Sequence, residues 1–389
     1  MRYHFSLYWN INWTMEKCMK RIAFFSGDIT GSGGTERVGT VLANELAERG
    51  QYEIFFVSLA QARETTSFPL SDKIPCDVLA GQRISPGLGY LPLIPRLKEY
   101  VKQKKIDLII DIDSVLDVLS LPVRWMTGVR VISWEHFYYY DVRGTWYRRP
   151  IRRLTTRFAD AIVTLTERDR EYYLENGADP KKVHTIHNPV YDTAPGNVKT
   201  KDTKERKEIF SAGALSQIKG FLQVPLIAKY VKERYPKLSF IWRIAGEGAM
   251  RGEIEHRIMA LGVQDEVKLL GQMEDMRSLY ERAQLYVMTS EREGLPMVLL
   301  EAKQYGLPIV SYDIRTGPSE VIEDGVNGYL IPVTGEEQSD ASAMADAIGR
   351  LLTDEELYDF FAQHTKDHME DFLLERILGQ WEELVEQVL

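Results

Sequence analysis

The sequence predicts an α/β protein made of two doubly wound domains with parallel sheets. A chain of 389 residues is longer than one ordinary hydrophobic core supports, which favours two domains. Short apolar runs alternate with helical patterns, and strands that alternate with helices form parallel sheets. The alternation stops at a polar stretch, residues 192–207, which contains Pro195, Gly196 and a run of Lys and Glu, and then starts again, so this stretch reads as a linker.

The predicted strands are short and mostly apolar, as buried parallel strands are. In the first half they cover residues 21–26, 52–59, 106–111, 129–134, 161–165 and 183–186, and in the second half residues 209–213, 238–245, 267–271 and 285–288. We expect a first domain over residues 20–190 and a second over residues 191–371, followed by an amphipathic helix, residues 372–389. Residues 1–19 lack the apolar core of a signal peptide and are expected to form a disordered extension.

Composition excludes several classes of protein. The hydrophobic share of 44% and the charged share of 27% are those of a soluble globular protein. Only Cys18 and Cys76 occur, so the sequence predicts neither a disulfide framework nor a zinc site. This cysteine content is consistent with a reducing compartment. Residues 1–190 carry a net charge of +4 and residues 191–389 one of −13, a distribution that does not favour binding to nucleic acid.

The most informative segment follows the predicted strand 285–288. Glu293 and Glu301 lie eight positions apart, separated by a Gly-Leu-Pro turn and an apolar run. Pro296 suits the first position of a helix, and the free N–H groups at a helix start attract an anion such as a phosphate. Glu301 has apolar neighbours, where an ionised carboxylate is costly unless it is hydrogen-bonded. Two glutamates at this spacing would, by themselves, more often be a capping residue and a surface residue.

The complete string changes that interpretation. Glu-Gly-Leu-Pro-Met-Val-Leu-Leu-Glu-Ala at residues 293–302, followed by Gly-Leu-Pro-Ile-Val at residues 306–310, resembles the signature of glycosyltransferase family 4, and further matches extend over about residues 20–389. That family consists of retaining, nucleotide-sugar-dependent enzymes of GT-B fold, with two Rossmann-like domains facing each other across a cleft. The resemblance implies that the first domain binds the acceptor, that the second binds the nucleotide sugar, and that helix 372–389 crosses back to the first.

The resemblance also assigns roles to residues. Glu293, His136 and Lys219 are the expected catalytic residues, with Glu293 on the hydroxyls of the transferred sugar, Lys219 on the diphosphate and His136 facing the cleft on the acceptor side. Glu301 is expected on the ribose. The expected donor-binding residues are Gly33, Gly34, Lys219, Gly246, Glu293, Gly294, Leu295, Pro296, Met297, Val298 and Glu301.

Position 214 departs from the family pattern. Members of the family usually have an arginine there, five residues before the lysine, and the two cations clamp the phosphates. This chain has Ala214. Arg315, in a loop after a predicted strand, is the first candidate to replace the missing cation.

Asp111 and Asp113 form an Asp-x-Asp sequence after a buried strand, a pattern that binds metal in another glycosyltransferase fold. We interpret it instead as a strand-end loop with Asp113 as a helix N-cap, and we predict no metal site and no cofactor besides the nucleotide sugar.

Residues 137–157 contain six arginines and six aromatic residues against one acidic residue. Such a mixture suits the surface of an anionic membrane, where aromatic side chains settle at the interface and arginines meet headgroups. Binding of an acidic saccharide or of the pyrophosphate of a lipid carrier is the alternative, and a solvated helix face is the third possibility.

The resemblance implies a retaining hexosyltransferase, most similar to the enzymes that synthesise bacterial capsule, exopolysaccharide or lipopolysaccharide. The expected donor is a UDP-hexose or UDP-N-acetylhexosamine, and the expected acceptor is a saccharide or lipid-linked saccharide. The expected location is the cytoplasm, at the inner face of the membrane. The alternatives are a sugar phosphorylase or nucleotide-sugar epimerase of the same fold, and a non-catalytic scaffold that docks on membranes.

Overall fold

The computed structural model describes residues 19–31, 33–81, 84, 88–141, 146–190 and 206–389. Most of the expected N-terminal extension, residues 1–18, and most of the expected linker, residues 192–205, lie outside the described residues.

The first half of the chain forms a parallel sheet of seven strands in the order β3-β2-β1-β4-β5-β6-β7. The strands are β1 (Lys20–Asp28), β2 (Tyr52–Ala60), β3 (Cys76–Val78), β4 (Leu108–Ile112), β5 (Arg130–Trp134), β6 (Ala161–Thr164) and β7 (Val183–Thr185). The helices are α1 (Gly34–Arg49), α2 (Ile94–Lys104), α3 (Asp117–Thr127), α4 (Arg148–Phe158) and α5 (Glu167–Glu175). Every residue of the central strand β4 is buried, as expected for a parallel strand covered by helices on both faces.

The second half forms a parallel sheet of six strands in the order β10-β9-β8-β11-β12-β13. The strands are β8 (Lys207–Ala212), β9 (Phe240–Ala245), β10 (Val267–Gly271), β11 (Leu285–Met288), β12 (Ile309–Asp313) and β13 (Gly328–Pro332). The helices are α6 (Val224–Arg234), α7 (Arg251–Ala260), α8 (Arg277–Arg282), α9 (Met297–Gln304), α10 (Pro318–Val321), α11 (Glu337–Thr353), α12 (Glu355–His364) and α13 (Leu374–Val388). Among the described residues, none of the helices has both the length and the apolar character needed to span a membrane.

The structure confirms the predicted fold class, because both halves are doubly wound α/β units with parallel sheets. Each predicted strand is present within a few residues of its expected bounds. Strands β3 and β13 were not predicted. β3 has only three residues, none of them buried, and β13 contains Gly328 and Pro332, residue types that are depleted in strands.

Helix α13 packs its apolar face against the first domain. Ile377, Leu378 and Trp381 are fully buried, and the Trp381 ring meets that of Trp134 edge-on, with centroids 4.8 Å apart. Arg49 at the end of α1 also pairs with Glu375 at 2.5 Å and with Glu382 at 2.8 Å. The chain therefore starts in the first domain, builds the second, and returns to the first.

We expect Trp381→Ala to lower the free energy of unfolding by about 3–5 kcal/mol, because it leaves a cavity at the junction of α13 with β5. Urea unfolding followed by circular dichroism measures the change. Trp146→Ala is the matched control, since the Trp146 side chain is 79% exposed and its removal should change stability by less than about 0.5 kcal/mol. Equal effects of the two substitutions would contradict this role of α13.

Candidate functional site

The two domains enclose a cavity of about 250 Å³ at the carboxyl ends of their strands. Doubly wound sheets bind ligands at this edge. The cavity brings together six of the site residues predicted from the sequence: Gly34, His136, Lys219, Glu293, Gly294 and Leu295. The last three lie in the loop before helix α9.

The glycine-rich loop ends as the N-terminus of α1. Gly33 is the N-cap and Gly34 the first helical residue. The carboxylate of Glu36 folds back and accepts hydrogen bonds from its own N–H and from that of Gly33, which is half of a capping box. Burial raises the pKa of Glu36, and these hydrogen bonds oppose the shift. One acidic side chain therefore already lies at the helix start that was predicted to approach the diphosphate.

Lys219 is held in a tight loop between β8 and α6. Gly220 has a φ of +67°, and a Cβ at this position would lie 2.0 Å from the carbonyl oxygen of Thr289, so only glycine fits. The Thr289 hydroxyl donates to the Lys219 carbonyl oxygen at 3.0 Å. From this loop the Lys219 ammonium reaches Glu293 Oε1 at 2.6 Å.

Glu293 lies in the loop between β11 and α9, and its side chain is only 12% exposed. The Thr316 hydroxyl donates to its carbonyl oxygen at 2.6 Å. Helix α9 begins at Met297, with Pro296 as its N-cap, one residue later than the sequence suggested. The missing N–H of Pro296 costs nothing there. Met297 and Val298 occupy the first turn, whose N–H groups have no partner within the helix.

Glu301 lies on the second turn of α9 and makes the hydrogen bonds that its apolar neighbours require. The Tyr280 hydroxyl donates to Oε2 at 2.8 Å. Arg37 on α1 donates to Oε1 at 2.9 Å, so the first domain contributes a cation to a carboxylate of the second.

Gly246, also predicted to bind the donor, lies after β9, where its N–H donates to the carbonyl oxygen of Gly271 at 2.8 Å. This bond ties together the loops after β9 and β10.

Gly294 lets the two domains approach each other closely. A Cβ at Gly294 would lie 2.4 Å from the carbonyl oxygen of His136. The His136 ring stacks near Trp134 with centroids 4.5 Å apart, and Nε2 has no hydrogen-bond partner among the described residues. Burial lowers the pKa of His136 to about 4, against the opposing effect of Glu135, so the imidazole is neutral near pH 7.

Glu135, next to His136, points into the domain and not into the cleft. Its Oε2 accepts from Ser114 at 2.7 Å, Arg152 at 2.7 Å and Tyr173 at 2.9 Å. Burial acts to raise the pKa of Glu135, but the charges of Arg152 and Arg148 together with these hydrogen bonds lower it to about 2. The expected Glu-His pair is therefore split between a supporting carboxylate and a buried imidazole beside the cavity.

Within the basic stretch 137–157, residues 142–145 with Arg143 lie outside the described residues. The described part is only partly exposed, which corrects the sequence prediction. Arg152 is completely buried on Glu135, and Arg148 is 11% exposed and paired with Asp113 at 2.7 Å. Arg149, Arg153 and Arg157 remain exposed on α4. The amino-acid composition could not distinguish the buried arginines from the exposed ones, because the partners of the buried arginines lie on other elements.

The Asp-x-Asp sequence is used by the fold. Asp111 is fully buried and accepts from Ser120 at 2.6 Å. Asp113 accepts from the N–H of Val115 at 3.1 Å as the N-cap of a short 3-10 helix, Ser114–Leu116, which is the capping role we predicted.

A second cavity of about 600 Å³ adjoins the first. Tyr138, Arg292 and Glu293 line both cavities. Arg315 lines only the larger one, and Lys219 only the smaller one. Arg292 forms an ion pair with Asp141 of the first domain.

Sequence reasoning missed Arg37, Arg292 and Tyr138. Arg37 had one usable signal: it follows the glycine-rich loop by one helical turn, so it had to lie near the start of α1. The other two are recognisable only once the domains face each other.

Family comparisons agree with this architecture. The model described as Glycosyltransferase Family 4 matches residues 32–193, and the model described as Glycosyl transferases group 1 matches residues 197–368. The first match ends at residue 193 and the second begins at residue 197, within the expected linker region, so each domain of the chain has its own model.

Similar proteins cover almost the whole chain. The amylovoran biosynthesis glycosyltransferase AmsD of Erwinia amylovora is 26% identical over 94% of this chain and 100% of its own. An α-1,4-N-acetyl-D-galactosaminyltransferase of Campylobacter jejuni, named for an undecaprenol-diphosphate-linked acceptor, is 26% identical over 95% of this chain and 99% of its own.

Among solved structures, Anabaena HepE in complex with UDP and glucose superposes with a TM-score of 0.74 at 20% identity, over 94% of this chain and 99% of its own. This likeness establishes the fold. The two family models, which together match residues 32–193 and 197–368, and the two relatives support a family 4 glycosyltransferase of GT-B fold.

Proposed function

We propose that the protein transfers a hexosyl group, with retention of anomeric configuration, from a UDP-sugar to a saccharide or lipid-linked saccharide in bacterial surface polysaccharide synthesis. The observation that carries this proposal is the placement of Glu293 and Glu301 on either side of the start of α9, each held by a cation, at 2.6 Å and 2.9 Å. Binding of UDP is supported by the complex of HepE, and the class of acceptor by the names of the two relatives.

Each part of the donor has a matching group in the second domain. Glu301 binds the ribose hydroxyls, and Glu293 binds hydroxyls of the transferred sugar. The N–H groups of Leu295, Met297 and Val298 at the start of α9, together with Lys219, bind the diphosphate, because the N-terminus of a helix favours an anion. Gly246 lets the backbone after β9 approach the donor, and Gly33 and Gly34 approach the diphosphate from the first domain.

The acceptor belongs on the side of His136, which lines the 250 Å³ cavity together with Phe137 and Tyr138 of the first domain. Neutral His136 keeps a ring nitrogen without a protein partner, so it can hydrogen-bond a hydroxyl of the acceptor or of the transferred sugar. This assignment makes residues 20–190 with α13 the acceptor domain and residues 191–371 the donor domain.

The reaction then needs no protein base. The bond between the anomeric carbon and the diphosphate oxygen breaks, a bond from that carbon to the acceptor oxygen forms on the same face, and the leaving diphosphate oxygen takes the acceptor's proton. Helix N–H groups and side-chain cations stabilise the charge that grows on the diphosphate, so we propose transfer without a metal ion.

We also propose that the protein acts at the cytoplasmic face of an anionic membrane. The supporting surface, which we call the α3–α4 surface, consists of Trp125, Met126, Arg149, Arg153, Leu154 and Arg157. Arg149, Arg153 and Arg157 are spaced at i, i+4 and therefore share one face of α4. Trp125 meets Phe158 edge-on at 5.0 Å and is itself 58% exposed, so apolar groups lie beside the arginines, as interfacial binding requires.

The two glutamates should be separable by experiment. Glu301→Ala should weaken UDP binding by roughly ten- to a hundred-fold, because hydrogen bonds to a charged group contribute about 1.5–3 kcal/mol. Glu293→Gln should leave UDP binding within a few-fold while turnover collapses, since Glu293 touches only the transferred sugar. Calorimetry measures UDP affinity, and product formation measures transfer.

Glu255→Gln, an exposed carboxylate on α7 paired with Arg251, is the control and should change neither quantity. Equal loss of UDP binding in the Glu293 and Glu301 variants would show that the proposed division of roles is wrong. Unchanged turnover in the Glu293 variant would show that the active site is wrong.

The membrane proposal predicts that Arg149, Arg153 and Arg157 changed together to Gln abolish most of the binding to anionic vesicles at low salt. Each charge near the surface contributes about 1 kcal/mol, so three together amount to roughly a hundred-fold. Co-sedimentation with vesicles of phosphatidylglycerol and phosphatidylcholine measures the effect, and rising salt should release the parent protein.

The matched control replaces three exposed lysines of the second domain, Lys237, Lys268 and Lys366, by Gln, with the same change of charge. Arg152 is left intact, because its removal would leave Glu135 buried and unpaired at a cost of about 3–5 kcal/mol. Equal binding by the two triple variants would rule out the α3–α4 surface as the membrane contact.

A further inference from the structure

Arg37 is a cation that the first domain places inside the donor site. It lies on α1, and its guanidinium donates to Glu301 Oε1 on α9 at 2.9 Å. The other carboxylate oxygen of Glu301 is held by Tyr280. In the proposed function Glu301 binds the ribose hydroxyls, so the nucleotide must compete with Arg37 for at least one oxygen of this carboxylate.

The position of Arg37 brings its charge close to the proposed diphosphate site. Arg37 follows Gly34, the first residue of α1, by three positions, which is about 4.5 Å along the helix axis. Helical side chains lean toward the N-terminus of their helix, and the N-terminus of α1 lies at the cavity that Lys219 and Leu295 also line. A guanidinium that leaves Glu301 can therefore turn toward the space between the starts of α1 and α9.

The negative charges around this space require a second cation besides Lys219. Glu293 lines this cavity, Glu36 lies in the first turn of α1, and Glu301 lies on the second turn of α9. A nucleoside diphosphate adds further negative charge. Lys219 faces the same cavity, already paired with Glu293 at 2.6 Å, and position 214, five residues before it, is an alanine. Arg315 lines the other cavity, and Arg292 is paired with Asp141.

We propose that Arg37 is the second cation of the diphosphate site, supplied by the opposite domain. In the structure it neutralises Glu301. When the nucleotide binds, the ribose hydroxyls replace it on Glu301, and its guanidinium moves to the diphosphate, where a planar fork of N–H groups matches phosphate oxygens. This inference rests on the proposed function for the role of Glu301, and it makes Arg37 a residue that touches the leaving group.

Calorimetry with UDP and with uridine tests the proposal, because only UDP carries phosphates. Arg37→Gln should weaken UDP binding about ten-fold and leave uridine binding equal or tighter, since Glu301 is then free for the ribose. The UDP-to-uridine affinity ratio should fall about ten-fold or more. Arg37→Lys keeps the positive charge but not the planar fork of N–H groups, so it should restore only part of the ratio.

Two matched variants are compared with Arg37→Gln. Arg376→Gln removes an arginine of similar exposure, paired with Asp371 at 3.0 Å on the surface, and should not change the ratio. Arg315→Gln removes the competing candidate and should also leave the ratio unchanged.

Tighter binding of UDP and uridine alike in Arg37→Gln would show that Arg37 only blocks Glu301, and an unchanged ratio would show that it does not reach the phosphates. Either result overturns the proposal, as does a fall of the ratio confined to Arg315→Gln. If the parent binds GDP or ADP and not UDP, the same comparison is made with that diphosphate and its nucleoside. A parent that binds none of the three overturns the proposed function as well, so the two failures are distinct.

Discussion

Two carboxylates beside the N-terminus of α9 impose the main electrostatic constraint on the cleft. Glu293 and Glu301 have side chains that are only 12% and 22% exposed, and ionised groups with so little water need cations or hydrogen bonds. Lys219 comes from the same domain, whereas Arg37 comes from the other. Neutralising the two carboxylates therefore requires the Gly220 loop that presents Lys219, the register of α9 that places Glu301, and the close approach of α1 to the second domain.

The acceptor side depends on a second, deeper set of charges. Glu135 and Arg152 are both fully buried, and such a pair gains little over apolar residues but costs much when one partner is lost. The ion pair positions His136, because Glu135 immediately precedes His136 and accepts a hydrogen bond from the N–H of Phe137 at 3.1 Å. The ion pair thus holds the imidazole at the cleft without charging it, since burial lowers the pKa of His136 to about 4.

The parts of the molecule that the sequence predicted are those whose structure depends on residues close together in the chain. Apolar runs such as that of β4, and the string from Glu293 to Glu301, carry their structure locally. Arg148 and Arg152 could not be interpreted in this way, because their burial depends on Asp113 and Glu135, which lie 35 and 17 residues away. The Arg37–Glu301 contact spans 264 positions and joins two domains, so no local pattern announces it.

The two sides of the domain junction are held by different forces, and this difference indicates how the cleft can open. On the side of α13, one contiguous apolar cluster includes residues of both sheets, such as Phe24 and Phe210, together with Trp381. On the cleft side the described contacts include the ion pairs Arg37–Glu301 and Arg292–Asp141. The Arg37–Glu301 pair, with the Arg37 side chain 45% exposed, is worth about 0–1 kcal/mol, whereas separating the apolar cluster would expose large buried side chains at about 1.5–3 kcal/mol each. Opening is therefore cheapest as a hinge about the α13 side, and a nucleotide that takes over Glu301 would exchange the Arg37–Glu301 contact for one between Arg37 and the diphosphate.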